Sequence, residues 1–429
     1  MGRTMAEKIL ASHSETPDAV AGDVVIARLD LVHLHDANGQ IAFETFERLG
    51  ATRVFDRERV VLISDHFAPA KDTQSALALE AMRRFARAHD LRYYFELTDG
   101  GIEHTLLPQK GLVAPGDLIL GADSHTCTAG AFGALGMGMG STDIAAAMAL
   151  GEQWIVVPET IRCEFSGPRH PFVTGKDLIL SVIGRLGVDG AAYQALEFSG
   201  SAMPDFNIDE RMALCNMAVE AGAETGMAPP DEVTMAYVQP RALRRFEPVW
   251  PDEDAVYSAR HLFDLRTLEP LVAVPFSPGN VKPVSQVAGV PVNQVYIGNC
   301  ANGTMTDLRQ AAHVLRGRHI AAGVRLIVAP ATQEIYRQAM REGLLETLSE
   351  AGAAISMPTC GACCGLHNGI LAEGEVAVTT TNRNFRGRMG HVKSEVYLAN
   401  AYVAAASALA GVIQDPARLV NAPPIFAQG

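Results

Sequence analysis

Residues 117–125 read DLILGADSH, a short apolar run that gives way abruptly to Asp123, Ser124 and His125. Short apolar runs bounded by polar residues are typical of buried β-strands. Five more such runs occur along the chain, at RVVLIS (59–64), NQVYIG (293–298), VRLIVA (324–329), AAISM (353–357) and EVAVTTT (375–381). The sequence therefore predicts buried strands at these six places.

Helices are predicted between the strands. Residues 72–90 and 332–352 carry apolar side chains at helical spacing, the second with Thr332 as a candidate N-cap and Gly352 just past its end. Residues 394–411 are apolar all round, which predicts a buried helix. Strands that recur about every 30 residues, with helices between them, indicate right-handed βαβ units and an α/β fold with largely parallel sheets.

The polar residues that follow the strands predict an active site. They are Asp65-His66, Asp123-Ser124-His125, Asn299-Cys300, Cys360 and Asn382-Arg383. In open parallel α/β sheets, ligands bind outside the carboxyl ends of the strands. We therefore expect these side chains to share one site.

Two stretches predict domain boundaries. One lies near Pro158, after the alanine-rich segment 141–154, and the other lies in the Pro/Gly-rich segment 272–291. We expect three α/β domains over residues 1–158, 159–277 and 278–429, arranged around a central cleft, with the paired cysteines in the third.

Composition limits the classes of function. The 429 residues are 48% hydrophobic and carry a net charge of −13, which favours a large globular core and disfavours binding to nucleic acid or to an anionic membrane. The N-terminus lacks the apolar core of a signal peptide, and no run is long enough to span a bilayer. Seven cysteines in such a chain indicate reduced thiols in the cytoplasm.

The cysteines leave three interpretations open. Cys360 and Cys363 form a C-x-x-C in a Gly-rich loop, and Cys300 follows another strand. Three thiolates suit a [4Fe–4S] cluster with one open iron, or a zinc site completed by a fourth ligand such as histidine. They also suit chemically silent or redox thiols. Adjacent side chains usually point apart, so Cys364 is not expected to share a site with Cys363. The remaining cysteines are predicted to be core residues, namely Cys127, Cys163 and Cys215.

Other residues able to act in acid–base chemistry or anion binding lie nearby. Carboxylates beside His66 and His125 can orient the imidazoles and raise their pKa, and His104 follows a Gly-rich turn. Arg383 and Arg388 can hold a carboxylate. Such a histidine, when it occurs alone, is also typical of a structural, hydrogen-bonded residue. An isolated basic segment is likewise typical of a solvated turn. The glycines at 136, 138 and 140 lack nucleotide-loop spacing and indicate close packing at a helix start.

Taken together, these motifs resemble the aconitase superfamily of iron–sulfur hydro-lyases, and within it the large subunits of two-subunit dehydratases and homoaconitases. The similarity covers nearly the whole chain from residue 6. It is carried by SDHF (64–67), GGIEHTLLPQKGLV (100–113), GADSHTCTAGAFGALGMGMGSTDIAAAM (121–148), GKDLILSVIGRLGVDGAAYQALEFSG (175–200), CNMAVEAGAETGMAPPDE (215–232), PTCGACCGLHNGILAEGE (358–375) and TTNRNFRGRMGHVKSEVYLAN (380–400).

The resemblance implies a role for each matching residue. The cluster ligands would be Cys300, Cys360 and Cys363, and His66 with Asp65 would deliver a proton to the leaving hydroxyl. The implied acid–base network is Asp65, His66, His104, Asp123, His125 and Glu220. The residues implied to lie at the substrate are His35, Asp36, Asn382, Arg383 and Arg388.

The resemblance also implies a reaction and a partner. We expect interconversion of 2- and 3-isopropylmalate, as in leucine biosynthesis, with homoaconitate, citramalate or 2,3-dimethylmalate chemistry as the alternative and a cluster-free RNA-binding relative as a different class. The family's swivelling domain is not expected within this chain, so a separate small subunit would supply it, in a heterodimer or heterotetramer, for a small di- or tricarboxylate. Departures from the family pattern at Asn38, Asn299, Ala301, Thr304 and Cys364 bear on substrate choice.

Overall fold

The computed structural model describes residues 2–300 and 302–421, so the departure at Ala301 lies outside the described residues. The strands are β1 (Val24–Arg28), β2 (Leu31–His35), β3 (Val60–Ile63), β4 (Tyr93–Phe95), β5 (Leu118–Gly121), β6 (Leu135–Gly138), β7 (Glu152–Val156), β8 (Thr160–Ser166), β9 (Ala195–Ser199), β10 (Thr225–Met227), β11 (Ala259–Asp264), β12 (Leu271–Ala273), β13 (Val281–Pro283), β14 (Gln294–Ile297), β15 (Arg325–Val328), β16 (Ala353–Ile355), β17 (Val376–Thr379) and β18 (Glu395–Leu398).

Helices connect these strands. They are α1 (Met5–His13), α2 (Gly39–Arg48), α3 (Thr73–Ala88), α4 (Glu103–Gln109), α5 (Ser141–Leu150), α6 (Gly175–Leu186), α7 (Ile208–Asn216), α8 (Glu232–Val238), α9 (Val284–Val287), α10 (Met305–Leu315), α11 (Gln333–Arg341), α12 (Leu344–Glu350) and α13 (Ala401–Ala410). Short 3-10 helices include Ser124–Phe132, Met217–Ala221 and Gly361–Cys364. No helix in the described part of the chain is long and apolar enough to cross a membrane.

Three sheets are wholly or largely parallel, which confirms the predicted α/β class. The first has the order β4-β3-β2-β5-β6 and the second the order β10-β9-β8-β11, and all of their strands are parallel. The third has the order β13-β12-β18-β17-β14-β15-β16, parallel from β18 to β16 and antiparallel at β12 and β13. β1 and β7 form a separate antiparallel ribbon.

All six predicted strands are present, whereas two of the predicted helices differ. Residues 332–352 form two helices, because Gly343 adopts a left-handed φ of 70° between α11 and α12. Thr332 caps α11 by accepting the Ile335 N–H, as predicted. The single helix predicted over 394–411 is wrong in its first part: residues 395–398 form β18, and Asn400 starts α13 by accepting the Val403 N–H.

The three large sheets share a continuous core. One cluster of buried side chains runs from Ile119 in the first sheet through Phe198 in the second to Leu398 in the third. Side chains of this kind stabilise a fold by leaving water and packing closely. This shared core holds the sheets in a fixed relation, so that the carboxyl ends of the first and third sheets face each other. The domain boundaries remain predictions.

Candidate active site

The carboxyl ends of the first and third sheets meet at one buried cavity. The Cys360 N–H donates a hydrogen bond of 2.9 Å to the Asp65 carbonyl, and the Thr105 hydroxyl donates one of 3.3 Å to the Cys300 carbonyl. These bonds tie the loops of the two sheets together. The cavity is lined by Asp65, His66, Ile102, Glu103, His104, Asp123, His125, Cys300, Cys360, Cys363, Cys364 and Arg388.

Asp65 and His66 form a tight buried pair on the loop after β3. The Asp65 Oδ1 and His66 Nδ1 atoms lie 2.6 Å apart. Burial disfavours the charged imidazole, but the adjacent Asp65 carboxylate outweighs it and holds the pKa of His66 well above its usual value. His66 is thereby kept as a proton donor, with Asp65 fixing the orientation of its ring.

His35 and Asp36 lie behind this pair. The His35 ring stacks on that of His66, with centroids 4.1 Å apart. Both Asp36 carboxylate oxygens accept backbone N–H groups, from His66 at 3.0 Å and from Phe67 at 2.8 Å. Asp36 therefore shapes the loop that carries His66, and the contact with the cavity is made through His66.

A second chain of hydrogen bonds crosses from the first sheet to the loop after β17. Asp123 Oδ1 lies 2.9 Å from His104 Nε2 and also accepts the His125 N–H at 2.7 Å. His125 Nε2 lies 3.0 Å from Glu220 Oε1, which also accepts a 2.7 Å bond from Arg383 Nε. The structure thus brings His104, Asp123, His125, Glu220 and Arg383 together in one network.

The charges in this network stabilise one another. Burial would raise the pKa of Asp123, but its bonds to His104 and His125 hold that pKa well below the usual value. Burial would lower the pKa of His125, but Asp123 and Glu220 raise it. The result is a buried carboxylate held ionised beside an imidazole held protonated.

A deeper pair, His33 and Glu103, supports this layer. His33 Nδ1 lies 2.8 Å from Glu103 Oε2, and the Glu103 N–H donates a 3.0 Å bond to Asp65 Oδ2. Burial lowers the pKa of His33 to about 4 and raises that of Glu103 to about 7. No sequence motif marks either residue as part of a site, although Glu103 lines the cavity next to His104.

Three asparagine side chains surround Cys300. Asn382 Nδ2 lies 2.9 Å from the Cys300 sulfur and donates a 2.6 Å bond to Asn216 Oδ1. Asn299 Nδ2 donates a 2.8 Å bond to Asn382 Oδ1, which fixes the orientation of the Asn382 amide. Asn382 therefore contacts the Cys300 sulfur, and its implied place at the substrate stays a prediction.

Lys176 supports the same region from beneath. Its ammonium group is fully buried and donates 2.8 Å bonds to the carbonyl oxygens of Thr380 and Thr381, just before Asn382. Burial lowers its pKa to about 8. No local pattern marks this lysine or Asn216, because their hydrogen-bond partners lie between 84 and 206 residues away in sequence. Both residues fall within stretches that carry the family resemblance.

Cys360, Cys363 and Cys364 lie on a tight turn against the same cavity. The turn is possible because Gly361 and Gly365 adopt left-handed φ values of 53° and 66°. Cys363 and Cys364 both line the cavity, so the expected divergence of adjacent side chains does not occur. The Cys364 sulfur lies 3.4 Å from that of Cys360 and accepts a 3.2 Å bond from Arg388 Nη2.

The donor set fits an iron–sulfur cluster. Cysteine thiols from two loops face one cavity, and thiolates are the usual protein ligands of such clusters. Arg388 Nε is buried and, among the described residues, has no hydrogen-bond partner. An unpaired cationic donor beside the thiols suits an anionic group in the cavity. By contrast, Cys127, Cys163 and Cys215 are fully buried in the core, as predicted.

Three departures from the family pattern have local tasks in the fold. Asn299 orients Asn382, as above. Thr304 caps α10: its hydroxyl donates a 2.7 Å bond to Asp307 Oδ2 within a capping box. Asn38 Nδ2 donates a 2.8 Å bond to the Ala122 carbonyl and lies 3.3 Å from His35 Nε2.

The glycines at 136 and 138 serve packing. They lie in β6, where an added Cβ would come within 2.3 Å of the Thr126 carbonyl oxygen and within 2.6 Å of the Asp123 carbonyl oxygen. Gly140 then precedes α5 as its N-cap. Close packing was predicted, although the first two glycines lie in a strand rather than at a helix start.

The chain is similar to known proteins over nearly its whole length. The sequence profile of the aconitase family (aconitate hydratase) matches residues 7–289 and 282–411. The chain belongs to the aconitase family. This confirms the resemblance, and with it the enzyme class, the hydro-lyases for which iron–sulfur dependence is characteristic.

Several relatives in the aconitase family are similar over nearly their full length. "3-isopropylmalate dehydratase large subunit 2" of Rubrobacter xylanophilus is 54% identical, over 99% of this chain and 100% of the relative. "3-isopropylmalate dehydratase large subunit" of Heliobacterium modesticaldum is 52% identical, over 97% and 99%. "3-isopropylmalate dehydratase large subunit 1" of Pyrococcus abyssi is 52% identical, over 98% and 100%. Among solved structures, Thermococcus kodakaraensis aconitase X (holo-form) matches with a TM-score of 0.49 at 13% identity, over 86% of this chain and 88% of that chain.

Proposed function

We propose that this chain is the large, cluster-carrying subunit of a hydro-lyase that interconverts 2- and 3-isopropylmalate in leucine biosynthesis. The observation that carries the proposal is the meeting, in one cavity, of cysteines from the third sheet with the Asp65–His66 pair and the His104–Asp123–His125 network from the first. The names of relatives at 50–54% identity support the choice of substrate.

A [4Fe–4S] cluster would be held by Cys300, Cys360 and Cys363, with one iron left open. When bound, it supplies a Lewis acid that polarises the hydroxyl and carboxylate of the substrate. Asn382 would stabilise the Cys300 thiolate through its 2.9 Å contact. We assign Asn382 to this task, since its amide is already held by Asn216 and Asn299.

The acid–base work falls to the histidines. His66 would protonate the leaving hydroxyl, because Asp65 keeps the imidazole protonated and fixes its ring. His35 and Asp36 would hold the His66 loop in place. His104, Asp123, His125 and Glu220 would complete the acid–base and hydrogen-bonding network around the substrate.

The arginines would bind the substrate carboxylates. Arg388 lines the cavity and has a free Nε donor among the described residues. Arg383 is fixed by Glu220 and Ser124, with about a fifth of its side chain still exposed. Arginine presents a planar pair of donors that matches a carboxylate.

A separate small subunit would complete the enzyme, as a heterodimer or heterotetramer in the cytoplasm. The relatives are named as large subunits, and this chain matches them from end to end. In this family the swivelling domain supplies a serine base and further carboxylate-binding residues. We therefore expect the purified chain to be nearly inactive until a small subunit is added.

Two measurements test the proposal. Anaerobic reconstitution with iron and sulfide should give iron-loaded protein in the unmodified chain and in Cys215→Ser, a core thiol away from the cavity, but not in Cys360→Ser. With a small subunit co-expressed, isopropylmalate should be the best substrate in a panel that includes citramalate, 2,3-dimethylmalate and homoaconitate. Faster turnover of another member of the panel would overturn the substrate assignment, and full iron loading of Cys360→Ser would overturn the cluster assignment.

A further inference from the structure

Cys364 is not needed by the proposed cluster, yet its thiol lies in the cavity beside two potential metal ligands. The ligand atoms of His66, Cys360 and Cys364 all lie within 4.8 Å of one another. The two sulfurs are 3.4 Å apart. Cys364 therefore adds a second thiol to the point that Cys360 and His66 share.

The spacing suits a single ion. Two Zn–S bonds of about 2.3 Å at a tetrahedral angle place their sulfur atoms about 3.8 Å apart, so small side-chain rotations would bring Cys360 and Cys364 to that separation. Zn²⁺ would displace the Nε2 proton of His66 and the protons of the two thiols, while Asp65 stays bound at Nδ1. The two thiolates, the imidazole and Zn²⁺ then carry no net charge among themselves, which suits a buried site. Water would take the fourth position.

His66 is prepared for such an ion. Asp65 takes the Nδ1 atom at 2.6 Å, which leaves Nε2 as the nitrogen for a metal. A histidine that binds metal through one nitrogen and a carboxylate through the other is a recurring arrangement in metal sites. The His66 backbone is held on both sides, by Asp36 on its N–H and by His367 Nε2 at 3.0 Å from its carbonyl oxygen.

We propose that the cluster-free chain binds one Zn²⁺ ion through His66, Cys360 and Cys364. Cys360 is also a proposed cluster ligand, so the chain cannot bind the zinc ion and the iron–sulfur cluster at the same time. Zinc would then block cluster assembly in this chain, and Cys364 would be the residue responsible. The proposal goes beyond the proposed function and does not depend on which substrate the enzyme uses.

The test uses the full chain, freed of iron and kept anaerobic. Zn²⁺ affinity is measured by competition with a chromophoric chelator, and Co²⁺ replaces Zn²⁺ as an optical probe of tetrahedral thiolate ligation. We expect one equivalent to bind, and we expect Cys364→Leu and Cys364→Ser each to weaken binding at least about 100-fold, because a ligand is lost. Far-UV circular dichroism and thermal unfolding confirm that the variants are folded.

Matched variants separate the two sites. Cys300→Ser should keep zinc binding and lose the iron cluster, whereas Cys364→Leu should lose zinc binding and keep iron loading. Unchanged zinc affinity in both Cys364 variants, or loss of zinc binding in Cys300→Ser, would overturn the zinc site. Iron loading that survives in Cys300→Ser would instead overturn the cluster assignment and would leave the zinc measurement unaffected.

Discussion

The substitution Arg383→Lys tests whether Arg383 binds the substrate or stabilises the fold. In the structure Arg383 Nε donates a 2.7 Å bond to Glu220 and Nη2 donates a 2.8 Å bond to Ser124. Lysine keeps the positive charge that Glu220 requires but offers a single point of donation in place of a planar fork. His125 still binds Glu220 at 3.0 Å, so the buried carboxylate is not left unpaired.

The structure sets the sizes of the two effects. Loss of the Ser124 hydrogen bond should cost about 1 kcal/mol of stability, a shift of about 1 °C in Tm for a chain of this size. Loss of a paired contact to a desolvated substrate carboxylate should cost about 2–3 kcal/mol of transition-state binding, or about 30- to 150-fold in kcat/KM. Function should therefore fall far more than stability.

The assay compares kcat/KM of the reconstituted complex with Tm and iron content of the large subunit. Arg386→Lys is the matched control, because its exposed guanidinium stacks 3.8 Å over Phe276, away from the cavity. The control should retain kcat/KM within about twofold, as surface substitutions usually do. Unchanged kcat/KM in Arg383→Lys, an equal loss in the control, or a fall in Tm well above 5 °C, against the roughly 1 °C expected from one hydrogen bond, would refute the reasoning.

Three further predictions concern the residues that support the site. Lys176→Met should lower the free energy of unfolding of the cluster-free chain by about 1–3 kcal/mol at pH 7. The substitution removes the hydrogen bonds of the buried ammonium, and this loss outweighs the desolvation cost that it relieves. The pKa of Lys176 is about 8 in the folded chain, below the value of an exposed lysine, so the unfolded chain binds more protons between about pH 8 and 10.5. Denaturant titration should then show stability rising with pH across that window in the unmodified chain relative to Lys176→Met, and parallel curves would contradict it. Thr304→Val should cost about 1 kcal/mol through the lost cap of α10 and leave iron content unchanged, a result that iron loss would disprove. Asn216→Ala should speed iron release to a chelator about 10- to 100-fold, because Asn382 loses its acceptor beside Cys300; an unchanged release rate would show that Asn216 does not support the cluster site.

The sequence was sufficient for the parts of the fold that depend on local pattern. Short apolar runs marked six of the eighteen strands in the described part of the chain, and Thr332 marked the start of α11 because its hydroxyl caps the helix locally. The pattern failed at residues 395–398, where a short buried strand precedes a buried helix. Both segments are mostly apolar, so periodicity alone does not separate them, and the boundary depends on the cap at Asn400.

Only those residues of the candidate site that follow a strand could be predicted from the pattern of the sequence. Asp65, His66 and Asp123 follow strands directly, which places them at the edge where ligands bind. Lys176 and Asn216 lie on α6 and α7 and reach the site only through the packing of separate sheets. Such contacts are set by tertiary structure, and no local spacing encodes them.

The arrangement of charges explains how so acidic a chain can bind a dianion. The net charge is −13, yet the carboxylates of the acid–base network are matched by cationic groups: Asp65 by His66, Asp123 by His125, and Glu220 by His125 and Arg383. The protonated imidazoles cancel the local negative charge, which leaves Arg388 Nε without a partner in the described structure. Surface charge is screened within about 10 Å in physiological salt, whereas buried charges act at full strength over short distances. The cavity therefore keeps a cationic donor for an anion, Arg388 Nε, while the chain as a whole is acidic. The same pairing keeps the His66 proton available for transfer, so anion binding and acid catalysis depend on the same buried ion pairs.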